Sequence, residues 1–139
     1  MTGRLGPLPV PGPDDAPYWE GLEGGALLIQ RCDTCGTLRH PPQPRCGHCA
    51  SAVFSWTPAT GSGTVYSFTI VRHPPNPALA ASVPYVVALI QLDEGPRLVS
   101  NVVGVDPDLV AIGQRVQVEF DRQGPGAVLP RFSLTVAEP

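Results

Sequence analysis

Cys32-Asp33-Thr34-Cys35 and Cys46-Gly47-His48-Cys49 decide how the first half of this chain folds. A two-residue spacer lets both sulfurs of a pair converge on one centre from a tight backbone knuckle. Two knuckles supply the four thiolates that a structural zinc ion takes in a tetrahedron. Cys32, Cys35, Cys46 and Cys49 are all the cysteines of the chain, so the set is complete and closed. Two disulfides are the competing pairing, disfavoured because C-x2-C is metal-knuckle spacing. A rubredoxin-type iron centre would use the same four ligands; colour distinguishes it from zinc. His48 could replace a cysteine, but four sulfurs already fill the shell.

Around the knuckles the sequence reads as a ribbon. Residues 26–31 (ALLIQR) form a strand leading into the first knuckle, and residues 53–56 a strand leading out of the second. Gly36 stands directly after Cys35, where a positive φ is wanted. Arg31, Arg39 and Arg45 flank the sulfurs and offset the two negative charges that a four-thiolate zinc centre carries; their role is read as structural. Upstream, Asp14-Asp15-Ala16-Pro17 reads as an acidic helix start with proline at the first turn. Tyr18, Trp19 and Leu22 then share one face of a short helix that Gly24-Gly25 ends. That face either covers the core or docks on a partner. Residues 1–16 are rich in Pro and Gly and read as an arm or linker.

Beyond residue 60 the pattern is all-β. Gly61-Ser62-Gly63 reads as a turn. Residues 64–71 (TVYSFTIV) alternate, with Tyr66, Phe68 and Ile70 on one face. Residues 85–92 (YVVALIQL) form a strand covered on both sides, and residues 97–103 return after the Asp93-Glu94-Gly95-Pro96 turn. Residues 106–111 suggest a short capped helix closed by Gly113. Residues 115–121 alternate with Val116, Val118 and Phe120 inward, and residues 128–136 form the last strand. Three strands, a helical crossover and two strands is the order of a five-stranded OB-fold barrel; a β-sandwich is the competing architecture. The expected organisation is therefore mainly β. An arm occupies residues 1–16, an N-terminal helix and rubredoxin-like zinc ribbon residues 17–59, and the OB barrel residues 60–139.

Composition narrows function by exclusion. The 139 residues carry a formal charge of −3, the wrong sign for gripping phosphate backbones. Tyr66, Phe68, Phe120 and Phe132 are expected to point inward, which leaves no exposed stacking platform for single-stranded nucleic acid. All nine basic residues are arginine, so Schiff-base chemistry on a lysine of this chain is excluded. No G-x-S-x-G elbow, H-E-x-x-H pair or phosphate-binding glycine loop is present. No apolar run spans a membrane and no signal-peptide pattern opens the chain, so a cytoplasmic location is expected. One segment exceeds what core building needs: residues 72–84, opening with Arg72-His73-Pro74-Pro75, form a stiff proline-rich loop between the first two barrel strands.

These motifs together resemble a known family. They are Tyr18-Trp19-x-Gly21-Leu22, Leu28-Ile29-Gln30-Arg31-Cys32-x-x-Cys35-Gly36, Pro41-Pro42 and Cys46-x-x-Cys49, then Gly61-x-Gly63-Thr64-Val65-Tyr66-Ser67-Phe68-Thr69, Arg72-His73-Pro74-Pro75, Val83-Pro84-Tyr85 and Gly95-Pro96-Arg97-Leu98. The chain from Tyr18 to Leu134 resembles the zinc-ribbon/OB-fold proteins, formerly a domain of unknown function, that accompany thiolases, lipid-transfer-protein-like aldolases and MaoC-like hydratases. The resemblance implies a non-catalytic subunit with structural zinc. It would bind and stabilise a thiolase-fold enzyme, in a heterotetramer or larger assembly, and help form that partner's acyl-CoA site. A retro-aldolase of steroid side-chain degradation is one such partner, with a MaoC-like hydratase domain alongside. Tyr18, Trp19, Arg72, His73, Pro74 and Pro75 are the candidate contacts with partner or acyl-CoA. The alternatives are a stand-alone acyl-CoA-binding module and a single-strand nucleic-acid binder.

Overall fold

A computed structural model describes residues 10–125 and 127–135. Most of the expected arm, and the end of the last strand at Val136, lie outside them. One helix, α1 (Ala16–Glu23), precedes a three-stranded antiparallel sheet of order β2-β1-β3: β1 (Leu28–Cys32), β2 (Leu38–Arg39) and β3 (Phe54–Pro58). A closed barrel follows, of order β4-β5-β6-β8-β7: β4 (Ser62–Val71), β5 (Tyr85–Leu92), β6 (Arg97–Val103), β7 (Arg115–Gly124) and β8 (Ala127–Leu134). The parallel β6–β8 contact is short, Val102 opposite Phe132 and Val103 opposite Ser133. The expected ribbon and five-stranded OB barrel are both present.

Eight residues make too short a helix to stand alone in water, so α1 exists through its packing. Tyr18 and Leu22, one turn apart, point inward. Gly25, at φ 81°, lets the chain leave the helix. The expected acidic cap is not made: no side chain caps α1. Asp15 instead accepts from the Gly12 amide and, through its other oxygen, from the Trp19 indole at 3.1 Å. It ties the incoming chain to the helix face.

The helix packs on β1 of the ribbon and on β8 of the barrel. Leu22, Leu27 and Ile29 therefore join Val65, Ile90, Val128 and Phe132 in one hydrophobic cluster. Ribbon and barrel share a core rather than touching as separate bodies.

Four barrel details differ from the sequence reading. The expected turn at residues 61–63 supplies only its first residue. Ser62 and Gly63 already belong to β4, and Gly63 lies so close to β5 that a Cβ there would stand 2.7 Å from the Gln91 carbonyl oxygen. Second, β4 does not alternate along its whole length. The register slips between Val65, opposite Ile90, and Ser67, opposite Leu89, so Tyr66 is the extra residue of a β-bulge. Val65 and Phe68 can then both face the core, whereas Tyr66 is 47% exposed. Third, β7 pairs with β4 only over Arg115–Gln117, and beyond that it runs on with β8 alone. Phe120 lies in this overhang and is 38% exposed, while Phe132 opposite Val118 is fully buried. The expected helix at residues 106–111 is a single 3-10 turn, Pro107–Leu109, with Asp106 accepting from the Asp108 amide at 2.9 Å.

Candidate metal centre and the groove beside it

The two knuckles fold alike because each repeats one hydrogen-bond pattern. The Gly36 amide donates to the Cys32 carbonyl at 2.8 Å, and the Ala50 amide to the Cys46 carbonyl at 2.9 Å. Closing each turn, the Cys32 amide reaches the Thr37 carbonyl and the Cys46 amide the Ser51 carbonyl, both at 2.9 Å. The residue after the second cysteine takes a left-handed conformation in both: Gly36 at φ 79°, as expected, and Ala50 at φ 65°. For an L-residue with a Cβ that conformation is strained.

All four Sγ atoms lie within 4.8 Å of one another. Cys32 and Cys49 are 3.5 Å apart, and Cys35 and Cys46 3.7 Å. Sulfurs at about 2.3 Å from a tetrahedral zinc stand about 3.8 Å apart, so the donor set fits the ion. Disulfide sulfurs would stand at about 2.05 Å. Backbone amides favour the thiolate at two of the four sulfurs: the Cys35 amide draws the Cys32 thiol down to about 6, and the Cys49 amide lowers Cys46. At Cys49 the Ser51 amide pulls the same way, but the adjacent Cys32 sulfur and burial push the thiol up to about 12. The centre is a structural zinc site of the four-cysteine type. Its four protein ligands complete the tetrahedron, which leaves no coordination position for substrate or water.

Arginine supports the ribbon from outside the sulfur shell. Arg39 donates to the Gln30 side-chain oxygen at 2.7 Å and to the Gln43 carbonyl at 2.9 Å, and its guanidinium lies 5.1 Å from the Phe54 ring centre. Gln30, fully buried on β1, also accepts from the Gln43 amide at 2.8 Å and so fixes the loop between the knuckles. Arg45 donates to the Ala50 carbonyl at 3.1 Å, bracing the second knuckle.

The same loop turns His40, Pro41 and Pro42 towards α1. Together with Trp19, Val87, Val99 and Leu129 they line an open groove of about 430 Å³ between helix, ribbon and barrel. Its position follows from the short β6–β8 pairing, since Ser100, Pro130 and Arg131 line it beyond the last laddered pair. The Ser100 hydroxyl bridges the gap to the Pro130 carbonyl at 2.7 Å. The His40 ring is 5.3 Å from Tyr18 and is held neutral by burial, down at about 4. Burial pushes the Tyr18 phenol up, so it too stays uncharged. Beneath lies a buried ion pair, Arg131 to Asp121 at 3.2 Å, with Gln123 donating to the same carboxylate at 2.9 Å.

The candidate contact residues fall in two places. Tyr18 is 5% exposed and belongs to the core, while Trp19 is half-buried at the groove. Arg72, His73, Pro74 and Pro75 are exposed on the loop between β4 and β5 and do not line the groove. Arg72 pairs with Asp108 at 2.8 Å, and Leu79, in the single 3-10 turn of the loop, is buried. Sequence reasoning misses the groove wall at residues 40–42 and the Asp121–Arg131 pair. Pro41-Pro42 is a usable signal for the first; a pairing across a hairpin has none.

Family models match along the chain. Residues 19–55 match "ChsH2, rubredoxin-like zinc ribbon domain" and residues 56–121 match "ChsH2, C-terminal OB-fold domain". A probable enoyl-CoA hydratase alpha subunit of Thermomonospora curvata is 44% identical over 96% of this chain and 41% of its own length. The 3-oxo-4,17-pregnadiene-20-carboxyl-CoA hydratase alpha subunit of Mycobacterium tuberculosis is 38% identical over 77% of this chain and 33% of its own length. The chain thus spans between a third and two-fifths of these two relatives. A DUF35 domain-containing scaffold protein of Methanocaldococcus jannaschii is 34% identical over 75% of this chain and 74% of its own length. Among solved structures, a chain of "Ltp2-ChsH2(DUF35) aldolase" superposes with a TM-score of 0.84 at 44% identity, covering 92% of this chain and 99% of that one. With a four-cysteine ribbon, an OB barrel and these likenesses, the chain belongs to the ChsH2/DUF35 family of zinc-ribbon and OB-fold proteins.

Proposed function

We propose that this chain is a non-catalytic accessory subunit or domain that binds and stabilises a thiolase-fold acyl-CoA enzyme, in an assembly of heterotetramer size or larger. The observation that carries this reading is the likeness, along nearly its whole length, to the DUF35 chain of an Ltp2-ChsH2 aldolase. The chemistry agrees. The metal shell is closed, and both the half-buried His40 at the groove and the buried Tyr18 are held neutral by desolvation. A retro-aldolase acting on a steroid side-chain acyl-CoA is the favoured partner, in keeping with the name of the mycobacterial relative. A MaoC-like hydratase domain accompanies it. The acyl-CoA lies at the partner's site, and this chain helps to form it.

The outer barrel face suits a protein partner better than a nucleic acid. Val87 and Leu89 of β5 and Val99 of β6 lie together there, Val99 66% exposed, where a solvated sheet would carry polar side chains. Tyr66 stands under the Arg97 guanidinium at 3.8 Å. In this reading Trp19 at the groove and the Arg72-His73-Pro74-Pro75 loop meet the partner, and Tyr18 supports Trp19 from the core.

Co-expression with a thiolase-fold aldolase tests the assignment. The two chains are expected to co-purify, and the aldolase alone is expected to be less stable and less active. An aldolase equally stable and active alone would overturn it, as would thioester turnover by this chain in isolation.

A further inference from the structure

The crossover between β6 and β7 is held more firmly than a surface connection requires. The Leu109 and Val110 amides donate to the Asp106 and Pro107 carbonyls at 2.9 and 3.2 Å, and the Gly113 amide to the Val65 carbonyl of β4 at 2.8 Å. The Gln114 side chain closes the loop on itself: its oxygen accepts from the Ala111 amide at 2.8 Å and its nitrogen donates to the Leu109 carbonyl at 3.0 Å. Val110 is buried in the core and anchors the whole. On either side of that anchor, Leu109 and Ile112 are 63% and 68% exposed. A single apolar residue on a surface needs no explanation. Two on a loop fixed in this way make a preorganised contact, because little conformational freedom is left to lose on binding.

The crossover faces the proline-rich loop of residues 72–84 across a cleft of about 320 Å³, lined by Pro84, Tyr85, Val103, Val105 and Pro107. None of the residues lining it lines the groove beside Trp19. The Arg72–Asp108 ion pair bridges the two loops. On the far side, Asn76 accepts from the Ala78 amide at 2.9 Å and stiffens the proline-rich loop in turn. We infer that Leu109, Ile112 and this cleft continue the docking surface that begins at Arg72-His73-Pro74-Pro75, and that they receive an apolar segment of the thiolase-fold partner. The inference rests on the partner reading proposed above and adds to it the side chains that anchor the contact. The segment is apolar because a polar side chain laid against Leu109, Ile112 and Val105 would lose its water without gaining a hydrogen bond.

The test measures, by titration calorimetry, the affinity of the thiolase-fold aldolase of the co-expression experiment for three forms of the full chain. These are the native chain, the double variant Leu109→Asp, Ile112→Asp, and the control Val53→Asp, an exposed apolar residue where the chain leaves the second knuckle. All three substituted side chains stand largely in solvent, so folding is retained, with circular dichroism as the check. The double variant is expected to bind about 30-fold more weakly or worse, since two carboxylates would have to be desolvated, and the control to bind like the native chain. A double variant that binds as tightly as the native chain would overturn this inference and leave the partner reading standing. So would equal weakening by Val53→Asp, which would mark the contact as unspecific. A native chain that does not bind the aldolase at all would overturn both.

Discussion

His40 ties the stability of this molecule to pH through a sign that can be worked out. Burial holds the folded-state imidazole at about 4, against about 6.5 in an unfolded chain. Between those values the unfolded chain takes up a proton that the folded chain declines. The contribution is fully present above about pH 6.5 and is lost as pH falls towards 4, a loss on the order of 3 kcal/mol. Chemical denaturation from pH 7 to 4.5 should show it, and His40→Gln should flatten that part of the profile. Zinc content must be followed in parallel, because the thiolates also protonate in acid. Asp121 makes the opposite kind of case. Removing its charge in Asp121→Leu leaves Arg131 buried and unpaired, with an expected cost of about 3–5 kcal/mol in urea denaturation. Replacing both partners by apolar residues of similar volume should cost far less. None of this is legible from the residues. His40 stands beside prolines and Asp121 in an alternating strand, and only tertiary packing makes the one half-buried and the other buried.

Single elements show where sequence reading succeeds and where it stops. The four cysteines announce their knuckle pair because spacing alone brings their sulfurs together. Strands β5 and β6 are readable from apolar runs between clear turns. In β4 simple alternation gives the wrong parity at Tyr66, because a bulge shifts every later residue by one position and its local sequence, Val65-Tyr66-Ser67, carries no glycine to mark it. Phe120 misleads for another reason: its alternation with Val116 and Val118 is real, but its β4 neighbour has ended. Two predictions belong here. Gly63→Ala should destabilise the barrel by about 1–3 kcal/mol, read as a lower urea midpoint, because the new methyl meets the Gln91 backbone and the Ile90 side chain. Cys46→Ser, or removal of zinc by a chelator, should unfold the ribbon while leaving much of the barrel's strand signal in circular dichroism, since the ion contributes on the order of 10 kcal/mol to a site of this kind.

For the whole molecule, the architecture is legible because its parts come in an order that few folds share: helix, paired knuckles, three strands, a crossover and two strands. The groove is not, since it is made by segments far apart in the chain meeting at the barrel's short parallel contact. The shared core gives the Cys46→Ser variant a second expected effect. Loss of the ribbon should loosen α1, and with it binding to a thiolase-fold aldolase, measured by co-purification. A variant that still formed the complex normally would show that neither ribbon nor helix takes part in docking.

The seat of α1 on β8 also sets a schedule. Glu23, at the end of that helix, pairs at 2.8 Å with Arg122, 99 positions later. On the ribosome the cysteines can capture their ion early, since all four ligands emerge within one stretch, residues 32–49. Helix α1 must wait until β8 has been made.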